Sequence, residues 1–181
     1  MAPRLVFLLG TVSEDGERNI MPISSVTSIS TDPGMAIVAV YKEWQTCKNL
    51  ETANGFTLSL APKEQLELVW KLGGKYSGYR SSMKKVEEFK NSLDFNFSKY
   101  GPVLKGALGW IECEVVDRPN AGKGNHLLVT GKYTKAMIDE TKYTSEILPI
   151  GAPKPLMQWA QNAFSTPDNI FDIPYYEGPR I

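Results

Sequence analysis

The sequence predicts a mainly β fold with short helices, in which an antiparallel sheet curls into a barrel and no βαβ array forms. Three observations carry this. Roughly seven β-rich runs follow one another with few helical segments between them. Asp-Gly and Asp-Pro-Gly turn signals separate neighbouring runs. Two runs, 107–116 and 126–138, exceed the ~5–6 residues usual for a strand, which suits strands that bend and wrap.

Residues 4–13 are an apolar run built on Leu5-Val6-Phe7-Leu8-Leu9 and closed by Glu14-Asp15-Gly16-Glu17, a hairpin signal because Asp and Gly tolerate positive φ. The chain returns as a second strand over 19–24 and stays extended over 26–30. Pro22 cannot donate to a ladder, which places its strand at an edge or bulge and leaves backbone groups there for a ligand. Asp32-Pro33-Gly34 is a turn, and the apolar stretch 35–41 reads as a strand buried on both faces. Thr46 is expected to cap a short helix running through Ala53 and stopped by Asn54-Gly55. Residues 56–60 alternate as a strand. A helix is expected over 62–72, with Pro62 in its first turn, Leu66, Val69, Trp70 and Leu72 on its apolar side, and Gly73-Gly74 as its stop. A polar loop (73–82) and a short charged helix (83–93) come next. Beyond the two long strands, a helix is expected over 155–164 and a Pro-rich extended segment over 166–181. One domain accounts for residues 1–181, with 140–181 as a C-terminal extension.

Composition narrows the function. Lys plus Arg and Asp plus Glu number 20 each, so no global field draws the chain to nucleic acid or an anionic membrane; an anion needs a local pocket. Cys47 and Cys113 match neither a disulfide framework nor zinc-ligand spacing, and with one histidine no metal site is expected. Leu5 to Leu9 is shorter than a signal-peptide core of ~7–15 residues, and no stretch is long enough to span a bilayer. A cytoplasmic protein in a reducing compartment is expected.

Four motifs carry chemistry. The first, Asn19-Ile20-Met21-Pro22-Ile23-Ser24-Ser25, is a polar bend offering backbone N–H groups and small hydroxyls, donors that suit a planar, heteroatom-rich ligand. The second, Thr46-Cys47-Lys48-Asn49, places a hydroxyl and a cation at a helix start, where unpaired N–H groups favour phosphate. One strand and its turns separate the two. The third is the loop Gly73-Gly74-Lys75-Tyr76-Ser77-Gly78 with Lys84-Lys85 beyond it, and the fourth is Gly124-Asn125-His126 with Gly131. Taken singly, each also has a structural explanation: a Ser-rich turn, an N-cap, a basic helix face, a structural histidine. Neither Gly-x-Gly-x-x-Gly nor a P-loop is present, so a nicotinamide cofactor would bind without a dinucleotide fold of its own.

In order and spacing these motifs resemble the flavin reductase-like family, the FMN-binding split β-barrels. The family's Asn-x-x-Pro-x-Ser-aromatic pattern is met by Asn19, Pro22 and Ser24, while Ser25 stands where an aromatic is common. Stacking on the ring would then come from elsewhere, with Trp44 or Trp159 as candidates, or be absent. The resemblance implies a six-stranded antiparallel split barrel, a homodimer and FMN close to the dimer interface. It implies that Asn19, Met21, Pro22, Ile23, Ser24 and Ser25 support the flavin. Thr46, Lys48, Asn49 and Lys84 would hold its phosphate, with Lys85 as a register alternative to Lys84. His126 would lie near the flavin or the nicotinamide, as a candidate catalytic residue tuning proton delivery to the flavin N5. The implied function is electron transfer from NADH or NADPH through FMN to free flavin, ferric iron or another acceptor. Two alternatives are a flavoredoxin-type carrier reduced by a protein partner and a flavin-free binding barrel.

Overall fold

The computed structural model describes residues 3–73, 82–138, 154–160 and 162–167. The chain opens with β1 (Arg4–Leu5), β2 (Phe7–Val12), β3 (Arg18–Ile23), β4 (Val26–Thr31) and β5 (Gly34–Tyr41), then helix α1 (Gln45–Thr52) and β6 (Gly55–Leu60). Helices α2 (Leu66–Leu72) and α3 (Ser82–Glu88) precede two short strands, β7 (Leu93–Asp94) and β8 (Val103–Leu104). The long strands β9 (Gly109–Asp117) and β10 (His126–Ile138) follow, and then β11 (Met157–Ala160) and β12 (Ala163–Ser165).

Seven strands form one antiparallel sheet in the order β3-β2-β6-β9-β10-β5-β4. The outermost strands, β3 and β4, are consecutive in the chain and separated by Ser24 and Ser25 alone. The sheet must therefore curl until its two edges meet at that bend. Its interior gathers Leu9, Met21, Ile23, Val38, Phe56 and Val129. The curled antiparallel sheet agrees with the expectation, but the count of six strands does not. The extended run 19–30 turns at Ser24–Ser25 and delivers its halves to opposite edges, so it counts as two strands, and no ladder closes the barrel. Pro22 lies in edge strand β3, opposite Leu8, where a missing N–H costs no ladder bond.

Two strand readings change. β5 buries Ala36, Val38 and Val40 on one face only, because its other face is partly open. β6 is buried on both faces from Gly55 to Ser59, because it is central, paired with β2 and β9. Phe56 fills the interior from β6, and each such buried aromatic contributes ~1.5–3 kcal/mol. Gly131 makes room for it: a Cβ there would come within 2.7 Å of the Phe56 ring.

A second cluster lies on the outer face of the sheet, where Val6, Leu8, Ile20, Val69, Leu72 and Leu156 pack together. The expected helix over 62–72 divides into a 3-10 turn at Lys63–Gln65 and α2, of which Val69 and Leu72 are buried. The charged helix over 83–93 is α3 followed by a 3-10 turn at Lys90–Ser92. The loop expected over 73–82 falls mostly at 74–81, outside the described residues. So does 168–181 of the Pro-rich tail.

The helix expected over 155–164 is instead the hairpin β11–β12, which joins β1 in a small separate sheet. Its reason is long-range. The Val6 carbonyl accepts from Ala61 N at 3.1 Å, the Val6 N–H donates to Leu156 O at 2.9 Å, and Leu156 N donates to Ala61 O at 2.9 Å. The first strand thus exchanges β6 for β11 as its neighbour, and that pairing overrides local helix propensity. Among the described residues no helix is long and apolar enough to cross a membrane.

Candidate functional site

The bend between β3 and β4 is pinned to β5. Ala39 N donates to Ser25 O at 3.0 Å, and the Ser25 hydroxyl donates to Ala39 O at 2.8 Å. The Ser24 hydroxyl donates to Gln158 Oε1 on β11 at 2.8 Å. Both hydroxyl protons expected to face a ligand are therefore engaged within the chain. The backbone amides of Ser24 and Ser25 have no partner among the described residues and remain as donors.

Helix α1 starts two residues earlier than expected. Trp44 is the N-cap and no side chain caps the helix, so Thr46 lies inside the first turn. Its side chain is buried because it faces β3: Asn19 Nδ2 donates to Thr46 Oγ1 at 2.6 Å. Asn49 Nδ2 donates to Thr11 Oγ1 on β2 at 3.0 Å, and Gln45 Nε2 donates to Asn49 Oδ1 at 3.0 Å. The opposite end of the helix is closed by Arg118, whose Nε and Nη2 donate to the carbonyls of Leu50 (2.8 Å) and Ala53 (2.6 Å). A cation there complements the helix dipole. An eight-residue helix is marginal alone, so these contacts fix its place. At its start, the amides of Gln45 and Thr46 have no partner among the described residues, and Lys48 is exposed beside them. Such a start can bind an anion. Asn19 Oδ1 is buried and unpartnered.

The two lysine candidates differ. Lys84 is exposed, whereas Lys85 is buried and donates to Leu72 O at the end of α2 at 3.1 Å. Burial holds the Lys85 ammonium down at about 8. Gly73, ending α2, packs against Pro22, so Lys85 reaches the bend's strand through that helix end. Lys85, the register alternative, is thus tied to the end of α2, while Lys84 faces solvent.

At the end of β5, Tyr41 lies opposite His126, the first residue of β10. The Tyr41 ring meets Trp44 and His126 edge-on, each at 5.7 Å between centroids. The negative charge of neighbouring Glu43 raises the Tyr41 phenol. His126 Nδ1 is 2.7 Å from Asn125 Oδ1. Trp159 is 55% exposed, its indole N–H donating to Ser165 Oγ at 2.7 Å. Its strand neighbour Gln158 is the one that reaches the bend. No local pattern singled out Gln158; only the pairing of β11 with β1 brings it there.

Cys47 and Cys113 are both free and buried; burial raises both thiols, Cys113 to about 12. No group of three His, Cys, Asp or Glu side chains able to hold a metal ion occurs among the described residues. A concavity of about 510 Å³, lined in part by Phe97, Trp110, Met137 and Ile138, shares no residue with the bend or α1.

A family model described as flavin reductase like domain matches residues 2–166. An uncharacterised protein of Pyrococcus abyssi is 33% identical over 116 residues, 64% of this chain; the match spans 63% of that relative's length. Among solved structures, an FMN-binding protein from Thermus thermophilus with bound 1-cyclohex-2-enone has a TM-score of 0.77 at 23% identity, covering 96% of this chain and 91% of that one. Flavoredoxin from Methanosarcina acetivorans has a TM-score of 0.78 at 20% identity, covering 94% and 88%. At these identities the two structures establish the shared fold.

Proposed function

The chain belongs to the flavin reductase-like family, and we propose that it is an FMN-binding oxidoreductase taking electrons from a reduced nicotinamide dinucleotide. The observation that carries this reading is the Asn19–Thr46 hydrogen bond at 2.6 Å. It joins the two segments whose unpaired amides suit, respectively, the carbonyl and nitrogen acceptors of a flavin ring and the oxygens of a phosphate. The fit to FMN has further support in the unpartnered Asn19 Oδ1, which can accept from a hydroxyl or N–H of a ligand. The buried Lys85 ammonium, with no ion-pair partner among the described residues, suits an anion.

In this reading the backbone of Met21, Pro22, Ile23, Ser24 and Ser25 supports the ring, with Asn19 below it. The helix-start amides, Thr46, Lys48 and Lys85 hold the phosphate, and Asn49 ties the helix to β2. Lys84 is left in solvent. His126 stands at the mouth through which the dinucleotide arrives. Bound FMN supplies hydride acceptance and onward transfer of electrons to free flavin, ferric iron or another acceptor. The chain's own contribution is to bind and orient. The proposal includes a homodimer in a cytoplasmic, reducing setting. A carrier of the flavoredoxin type is the second reading, supported by the shared fold with the Methanosarcina protein.

Equilibrium binding of FMN, FAD and riboflavin to apoprotein, then anaerobic mixing of the FMN form with NADH and NADPH, tests the proposal. FMN should bind best and be reduced by at least one donor. Slow reduction by both donors would favour the carrier. Failure to take up FMN would leave the flavin-free barrel.

A further inference from the structure

We propose that Tyr41, Trp44 and His126 form a shelf that binds the adenine of an adenine nucleotide, namely the distal half of the dinucleotide electron donor. The inference rests on the functional reading above. Three elements contribute one ring each: the last residue of β5, the N-cap of α1 and the first residue of β10. The interplanar angles are 69° and 60°, so the rings meet edge-to-face, and all three side chains are half-buried. Part of each ring surface thus remains open to a planar ligand.

The shelf is built rather than incidental. Lys42 N donates to Asn125 O at 3.0 Å and Lys42 Nζ donates to Gly124 O at 2.8 Å, fixing the start of β10 against the end of β5. Trp44 N donates to Tyr41 O at 3.1 Å, fixing the turn between those two rings. Asn125 Oδ1 only accepts, so His126 Nδ1 carries the proton and donates to it at 2.7 Å. In the neutral imidazole Nε2 is then an acceptor, with no partner among the described residues. An adenine offers what that acceptor needs, an exocyclic amino group beside a stacking face.

Position separates this shelf from the flavin ring. The bend touches β5 at Ala39, whereas the shelf begins at Tyr41 and continues past the end of the strand. It adjoins the start of α1, the end of the helix assigned above to the FMN phosphate, so an adenine on the shelf lies beside the flavin's phosphate and away from its ring. His126 is thereby assigned to donor binding and not to proton delivery.

The test is calorimetric titration of the FMN-loaded full chain with 5′-AMP, in the wild type, Trp44→Leu and Trp44→Phe. Removing a stacking ring should weaken AMP about fivefold to a hundredfold, and Phe should restore most of the loss. KM for NADH should rise with Trp44→Leu by a similar factor, while reduced nicotinamide mononucleotide, which lacks adenine, should keep its KM. If the loss appears for FAD over FMN and not for NADH, the adenine belongs to a flavin dinucleotide. No AMP binding in the wild type would overturn the shelf, as would a Trp44→Leu defect shared equally by AMP, FMN and thermal unfolding. Failure of FMN to bind would instead sink the functional reading, and the same AMP titration of the flavin-free chain would still decide the shelf.

Discussion

Thr46→Val asks whether the buried link between α1 and β3 is also a ligand contact. Valine keeps the shape of threonine and deletes its hydroxyl. Since no side chain caps α1, the ~1 kcal/mol expected for a lost cap does not apply. What is lost is the acceptor of Asn19 Nδ2, in a residue only 3% exposed whose Oδ1 is already unpartnered. Leaving that donor unsatisfied costs ~1–3 kcal/mol of folding free energy. In a domain of this size that lowers Tm by about 2–4 °C per kcal/mol. A direct Thr46–phosphate bond would add ~1.5–3 kcal/mol on FMN alone, roughly tenfold to a hundredfold in Kd. Riboflavin, lacking phosphate, reports the structural part. The double variant Asn19→Leu/Thr46→Val removes both partners and should recover most of the stability. FMN and riboflavin binding are compared by fluorescence titration alongside thermal unfolding. A selective FMN loss that persists in the double variant supports phosphate contact. Equal losses for both ligands, or FMN affinity returning with stability, would refute it and leave Thr46 a positioning residue.

Lys85 gives a pH signature. Its ammonium, near 10.5 in the unfolded chain and about 8 when folded, binds fewer protons folded than unfolded between those values. Its burial penalty is therefore complete below about pH 8 and fades toward pH 10.5, so stability should rise across that window by roughly 3 kcal/mol at most. Denaturant unfolding at several pH values should show this rise and its disappearance in Lys85→Met; a rise that survives in the variant belongs to another group. Exposed Phe97, Met137 and Ile138 border the 510 Å³ concavity and form an apolar patch. Light scattering at micromolar concentration should give a dimer mass, and a monomer would remove that part of the proposal.

What the sequence made legible was what local chemistry decides. Asp15-Gly16, Pro22 and Asp32-Pro33 fixed the first hairpins and the edge strand, because turn geometry and a missing donor act within a few residues. The helix after Tyr41 was legible too, but not its first residue. Thr46 is an ordinary cap type; Asn19, 27 residues away, turns it inward instead. The C-terminal hairpin was misread as a helix because the open hydrogen bonds of Val6 and Ala61 that recruit Leu156 are invisible from within 155–164. That Lys85 is buried against the end of α2 while Lys84 faces solvent is again a tertiary matter. Gln158 at the bend and Arg118 beneath α1 were out of reach for the same reason.

The seam at Ser24–Ser25 has a bearing on solubility. A sheet with two free edges offers two templates for adding a foreign strand, and proteins commonly blunt such edges. Here Pro22 interrupts the donors of β3, while a register shift between Ser28 and Ser30 twists β4. The amides of the two serines are the gap in this protection. In the proposed reading a flavin lying across them seals the gap, so light scattering of stored samples should show more self-association for the ligand-free chain than for the flavin-loaded one.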